Sequence, residues 1–192
     1  MTKFGLGKKL RFRLLMHTQR LNVWPMRWRS QMFRWLGCKV SRETVIAGDV
    51  FIEGTGLVTE GLVIINFGVF LDAVAEIRFG PGSGAGHRAL FITATHDIGD
   101  ERSRAGGNRH APIEVGAGSW VGGGAIIMPG VKIAPGCIIA AGAVVHRDTE
   151  PNCVYAGNPA RLVRKIEGPR AFDPDRRRHG KKLTPPPSST QQ

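Results

Sequence analysis

One histidine is distinguished by its position. In FITATHDIGD, Phe91 to Asp100, His96 closes an apolar run, and the polar, glycine-containing stretch ERSRAGGNRHAP follows at once. A histidine side chain exchanges protons near neutrality, so one placed where a regular pattern gives way to an excursion can act as a base toward a hydroxyl. Further along, WVGGGA carries Gly123 and Gly124. Residues without a side chain let main-chain N–H groups approach a reacting oxygen closely, as stabilisation of an oxyanion requires. A base, oxyanion donors and a clamp that aligns two substrates are what transfer of an acyl group from a thioester to a hydroxyl needs. The thioester is already activated, so direct attack suffices without a covalent enzyme intermediate. The other histidines, His17, His87, His110, His146 and His179, are scattered and carry no such pattern.

The elements that must position these residues are written in a repeat. From Val115 an aliphatic residue recurs every six positions through Val121, Ile127, Ile133, Ile139 and Val145, and glycine holds a fixed phase at Gly118, Gly124, Gly130, Gly136 and Gly142. An α-helix has no period of six, and plain strand alternation has no use for a phased glycine. A chain that turns a tight corner every six residues needs both, which predicts an all-β hexapeptide parallel β-helix. The same phase is expected at Val40, Ile46, Ile52, Val58, Ile64 and Phe70, breaks near DAVAEIR, and resumes at Phe79, Ala85 and Phe91. With three hexads to a triangular coil, about five coils make a prism ~24 Å tall at the usual strand spacing. Residues 97–112 do not fit the hexad and are expected to leave the prism as a loop. Because the corners need glycine in any case, Gly123 and Gly124 alone do not establish an oxyanion site.

The ends of the chain differ from its body. Residues 1–42 hold 11 Lys/Arg and no acid, whereas residues 43–168 hold 10 bases against 13 acids, so the net charge of +12 belongs to the appendages. That distribution argues against a whole-domain nucleic-acid binder, and no nucleic-acid partner is expected. Residues 1–39 form a basic amphipathic segment in which Pro25 divides two halves. The second half sets Trp28, Met32, Phe33 and Leu36 at helical spacing before Gly37. Two readings stand: a helix that caps the open end of the prism, or a basic helix pair lying on an anionic membrane through residues 1–42. Residues 167–192 are polar and proline-rich and read as a disordered tail. Cys38, Cys137 and Cys153 form no CxxC pair and no even framework, which suits reduced thiols and a cytoplasmic location.

The body, residues 40–166, also carries a family resemblance. INFGVFLD, FITATHDIGD, PIEVGAGSWVGGGAIIMPGVKIAPGCIIAAGAVVHRD and VYAGNPARLVRKI, in this order, resemble the hexapeptide-repeat acyltransferases. The branch they resemble is that of the maltose, galactoside and nodulation-factor O-acetyltransferases with their polysaccharide-modifying relatives. The resemblance implies a left-handed helix, a homotrimer with active sites between subunits, acetyl-CoA as donor, and a sugar or sugar-bearing metabolite as acceptor; an amine could replace the hydroxyl. It implies that His96 is the catalytic base and that Asn66 and Asp72 lie on the acceptor side, this chain being one residue shorter between them. Gly123, Gly124 and Trp120 match the wall that meets the thioester and pantetheine, and Arg161 and Arg164 match basic groups near the nucleotide end. Several members carry a glutamate late in the loop where this chain has Asn108, so Glu101, Asp97 or a backbone carbonyl is left to orient His96. No metal is expected, although related left-handed helices include zinc-dependent carbonic anhydrases. A non-catalytic or zinc-binding β-helix, with His87, His96 and His110 converging, is the competing reading.

Overall fold

A chain that buries one side chain every six residues must turn after each short strand, and the computed structural model, which describes residues 24–167, shows it doing so. Three parallel sheets form the faces of a triangular prism. Face A stacks Leu57–Thr59, Ile77–Phe79, Ile113–Val115 and Lys132–Ile133. Face B stacks Val45–Ile46, Ile64–Ile65, Gly84–Ala85, Trp120–Val121, Ile138–Ile139 and Cys153–Ala156, and ends in the antiparallel strand Arg161–Lys165. Face C stacks Phe51–Gly54, Phe70–Ala73, Leu90–Ile92, Ile126–Ile127 and Val144–Val145. Five coils result, as the repeat requires. All five hexad glycines lie in the left-handed region, with φ between 66° and 82°, so the phased glycine is the corner itself.

The early coils depart from the expected phase. Strand partners lie 18 residues apart between the last two coils, as Trp120 and Ile138 do, but 19 apart for Val45 and Ile64 and 20 apart for Ile64 and Gly84. The core ladder therefore slips after Ile52: Thr59, Ile65 and Leu71 point inward, and Ile64 and Phe70, expected inside, are only half-buried. An extra residue in a short strand reverses the side each later side chain faces, and the apolar pairs Ile64-Ile65 and Phe70-Leu71 hide that change from a pattern search. Ala85 is wholly buried beside Phe79 and Phe91, whose rings meet edge to face with centroids 5.1 Å apart. Two large rings and one methyl fill the layer that three aliphatic side chains fill elsewhere.

The helix Met26–Trp35 closes the end of the prism at the first coil, with Met32 and Phe33 fully buried in the common core. It ends as the sequence predicts: Gly37 takes φ 102°, and the N–H of Cys38 reaches back to the Phe33 carbonyl at 3.1 Å. Arg34 fastens the helix to the first coil through the carbonyls of Val40 and Ser41, at 3.3 and 3.1 Å. The capping role is thus met by residues 26–36, while the first half of the basic segment and the tail from residue 168 lie outside the described residues. All three cysteines are buried and unpaired, and burial pushes the Cys38 thiol up to about 12. No helix of the described residues is long and apolar enough to cross a membrane.

Candidate active site

The three edges of the prism carry different chemistry. Between faces C and A, the segment expected to be a loop is instead a β-hairpin, Ala94–Ile98 paired antiparallel with Ala105–His110. Its second strand, AGGNRH, has little strand propensity of its own, so cross-strand pairing rather than composition makes it a strand. His96 is the third residue of the first strand, exposed, and directly opposite Asn108 in the register. Where a resemblance leads one to expect a glutamate, this chain thus places an amide across from the candidate base. Neither expected carboxylate faces His96 from this hairpin. Asp97 is the next residue and so points to the opposite side of the strand, where it pairs with Arg109 at 3.2 Å. Glu101 lies at the exposed hairpin tip, in a turn that the Asp100 carboxylate holds through the N–H groups of Arg102 and Ser103 at 2.9 and 3.1 Å.

Asp72 anchors the base of this hairpin. Its carboxylate Oδ2 accepts the N–H of Thr93 at 3.1 Å and that of Ala94 at 2.8 Å, while Thr93 donates its hydroxyl to the Asp72 carbonyl. Asp72 is only 6% exposed, and its Oδ1 has no partner among the described residues. A buried carboxylate oxygen left unpaired is costly, and an incoming hydroxyl would relieve that cost. Thr93, fully buried, also accepts the N–H of Ala75, so one threonine couples three segments at the point where the chain leaves the prism.

The edge between faces B and C collects the second group. Asn66 stands at this corner in the second coil and donates its amide to the Ala85 carbonyl at 3.0 Å. One coil up, His87 stacks on Phe67 with ring centroids 6.1 Å apart. Gly123 and Gly124 turn the same corner in the fourth coil, where the Gly124 N–H is already donated to the His87 carbonyl at 2.8 Å. The Gly124 N–H is therefore not available as an oxyanion donor in this conformation. A Cβ on Gly123 would come within 3.1 Å of that same carbonyl, a contact tighter than most side chains make. Trp120 rises from face B beside this edge, 40% exposed, its ring lying over Gly84 so closely that a Cβ there would meet it at 2.9 Å. This seat for Trp120 at Gly84 is one that sequence reading missed; its trace is the glycine that interrupts the Ile64 to Ile138 row.

Asp72 and His96 are thus brought together at one edge, and Asn66, Gly123, Gly124 and Trp120 at another, a full face away in the same chain. Arg161 and Arg164 sit exposed on the terminal strand of face B. Beside them a depression of about 200 Å³ is lined by His146, Arg147, Tyr155, Arg161 and others. His110 shares the hairpin side of His96, being next but one to Asn108, but His87 belongs to the other edge. Among the described residues no three His, Cys, Asp or Glu side chains converge as a metal site would require.

The outward rows of the faces add a second contrast. Face A shows Arg78, Glu114 and Lys132 in register, an alternating charged row in which Arg78 also pairs with Glu60 and Glu76 at 2.6 and 2.7 Å. Face C shows Phe51, Phe70, Leu90, Ile126 and Val144, and face B shows Val45, Ile64, Gly84, Trp120, Ile138 and Val154. One face presents a row of charges, and two present apolar rows.

The comparisons agree with this architecture. Residues 112–147 match the model of the bacterial transferase hexapeptide, six repeats. A sophorolipid acetyltransferase of Starmerella bombicola is 53% identical over 102 residues, which is 53% of this chain and 39% of that relative; the match thus spans about two-fifths of its length. Among solved structures, a maltose O-acetyltransferase of Clostridium difficile is 27% identical, with a TM-score of 0.75 over 85% of this chain and 88% of that one. A hexapeptide-repeat acetyltransferase of Vibrio cholerae, solved with acetyl coenzyme A, has the same fold at 24% identity, with a TM-score of 0.76 over 84% of this chain and 88% of that one. The prism is therefore a left-handed parallel β-helix, and the chain carries the hexapeptide repeat over residues 112–147 and is similar to acetyltransferases built on that fold.

Proposed function

We propose that this protein is an acetyl-CoA-dependent O-acetyltransferase that modifies a hydroxyl of a sugar or sugar-bearing metabolite. The observation that carries the reading is the hairpin base: an exposed imidazole, His96, on a strand whose first residues are pinned by the buried carboxylate of Asp72. Relatives named as acetyltransferases, one of them a maltose O-acetyltransferase, support the donor and the acceptor class. In the reaction, His96 takes the acceptor's proton as its oxygen attacks the thioester carbonyl. The carbon–sulfur bond breaks, and the imidazolium returns the proton to the departing thiolate. The Gly123 N–H meets the developing oxyanion, a contact of a kind worth ~3 kcal/mol. Asp72, with one carboxylate oxygen unpaired, receives an acceptor hydroxyl. Trp120 flanks the pantetheine arm, and Arg161 and Arg164 meet the nucleotide phosphates.

We further infer a homotrimer, because the two halves of this site lie a face apart in one chain and because faces B and C present apolar rows. Contact of face C of one copy with face B of the next sets the His96 edge against the neighbour's Trp120 and closes after three steps. The buried, unpaired thiols fit a reducing, cytoplasmic compartment. The deciding experiment is release of free CoA thiol from acetyl-CoA in the presence of a panel of sugar, lipid-linked sugar and amine acceptors. Acceptor-dependent release with an acetyl ester in the product is expected. Release confined to amines would replace the hydroxyl assignment, and no release with any acceptor would remove the enzymatic one.

A further inference from the structure

The edge between faces B and C is turned in each coil by the same two positions. Phe67, His87 and Gly123 hold the first of them in the second, third and fourth coils, and each gives its carbonyl to the corner residue one coil up, at 2.9, 2.8 and 2.9 Å. The second position lies in the left-handed region throughout, at Gly68, Arg88, Gly124 and Gly142. Turning the corner needs no side chain at the first position, because Gly123 and Ala141 fill it in the fourth and fifth coils. The second and third coils nevertheless place rings there, within 9° of parallel and with centroids 6.1 Å apart. Phe67 is 42% exposed and His87 is exposed as well, so the pair presents aromatic surface that the described residues leave open. A Cβ on Gly68 would meet the Arg88 Cγ at 3.0 Å, so the aliphatic stem of Arg88 passes over the residue that follows Phe67. Two parallel rings with an apolar stem beside them fit the C–H face of a pyranose, whose weakly positive hydrogens meet the electron-rich faces of aromatic rings.

Their height along the prism fits the same ligand. Above the rings the edge is bare at Gly123, and Arg161 and Arg164 stand beyond it on the terminal strand, so an extended donor arm takes that side. The acceptor then approaches the thioester from the other side, over the rings. His96 leaves the prism in the third coil, which is the coil of His87. We propose that Phe67, His87 and the Arg88 stem form an acceptor shelf, on which a pyranose stacks while one of its hydroxyls reaches the neighbouring copy's His96. The shelf rests on the acetyltransferase reading for what the sugar receives, and it narrows the acceptor to cyclic sugars over open-chain polyols and simple amines.

The test is saturation-transfer NMR of the full chain without acetyl-CoA, with methyl β-glucopyranoside and methyl β-galactopyranoside as probes and the open-chain hexitol sorbitol as control. Transfer to the ring C–H protons of a pyranoside, at least ~5-fold stronger than to sorbitol, is expected. Phe67→Leu, which keeps apolar bulk but no ring, and His87→Ala should each lower it ~5-fold or more, and Phe67→Tyr should retain it. In acetyl transfer the same two variants should raise KM for the pyranoside and leave kcat and KM for acetyl-CoA within about twofold, the signature of a group that only binds. The proposal is overturned by no transfer to either pyranoside, by equal transfer to sorbitol, or by ring variants that bind as the wild type does. A changed oligomeric mass in Phe67→Leu also overturns it, because the rings are then packing between copies. Binding is read without turnover, so the two readings fail separately. A pyranoside held by the rings of a protein that releases no CoA thiol with any acceptor leaves the shelf standing and removes the acetyltransferase reading; acetylation unaffected by either ring variant does the reverse.

Discussion

The edge that carries His96 and the edge that carries Gly123 are built on opposite plans. The first is broken open: a hairpin leaves the prism there, and side chains of Asp72 and Thr93 replace the regular turn. The second keeps the repeat intact, and what it offers is backbone: the Gly123–Gly124 corner, the His87 carbonyl and the flat seat that Gly84 makes for Trp120. A solenoid can gain chemistry in either way, by interrupting the coil to project a side chain or by keeping it bare so that a ligand can lie close. Losing a side chain should therefore abolish function at the first edge, whereas at the Gly123 corner the damage should come from adding one.

The sharpest way to break this comparison is at the base. His96→Ala should lower kcat by at least ~10²-fold with circular dichroism and oligomeric state unchanged, and wild-type turnover would remove the residue from its role. If the two edges meet only between copies, His96→Ala chains mixed with chains carrying Gly123→Val should recover activity in hybrid oligomers, because some interfaces then pair two intact edges. Verified hybrids without recovery would place the site within one chain.

Asp72 comes next in expected effect. Asp72→Ala strands the N–H groups of Thr93 and Ala94, and loss of buried hydrogen-bond partners costs ~1–3 kcal/mol each. A fall of several degrees in Tm and a loss of about tenfold in kcat are expected, since a displaced hairpin base displaces the imidazole. Asp72→Asn keeps an oxygen for the N–H groups and should recover more of the stability than of the activity. Recovery of both together would make Asp72 a structural anchor only.

How far the sequence carries this account follows from the same contrast. The late coils are legible because each needs a glycine with positive φ at one phase, from Gly118 to Gly142, and an aliphatic three residues before it. The early coils are less so, because strands with adjacent apolar residues, such as Ile64-Ile65 and Phe70-Leu71, fit either phase and conceal the slip after Ile52. His96 could be singled out because it sits where the period fails, but its surroundings could not. The register that sets Asn108 opposite it, and the two N–H bonds to Asp72, depend on pairing between residues far apart in the chain. Gly84 was hidden because its role is an absence of atoms beneath a ring 36 residues away in sequence.

The smallest expected effect separates two accounts of what orients the base. Asn108 faces His96 across the hairpin, and its replacement by alanine should cost about three- to tenfold in kcat, mostly through the pH profile, if the amide steadies the imidazole. Glu101, by contrast, sits at the exposed tip in a turn maintained by Asp100 rather than by its own side chain. A carboxylate there is screened by solvent, and such charges contribute little at a distance. Glu101→Gln should therefore leave kcat, KM for donor and acceptor, and Tm within about twofold or one degree of the wild type. Should the variant instead lose tenfold while Asn108→Ala loses nothing, the hairpin tip must fold over the imidazole or a neighbouring copy's acceptor, and the carboxylate would replace the amide as the orienting group.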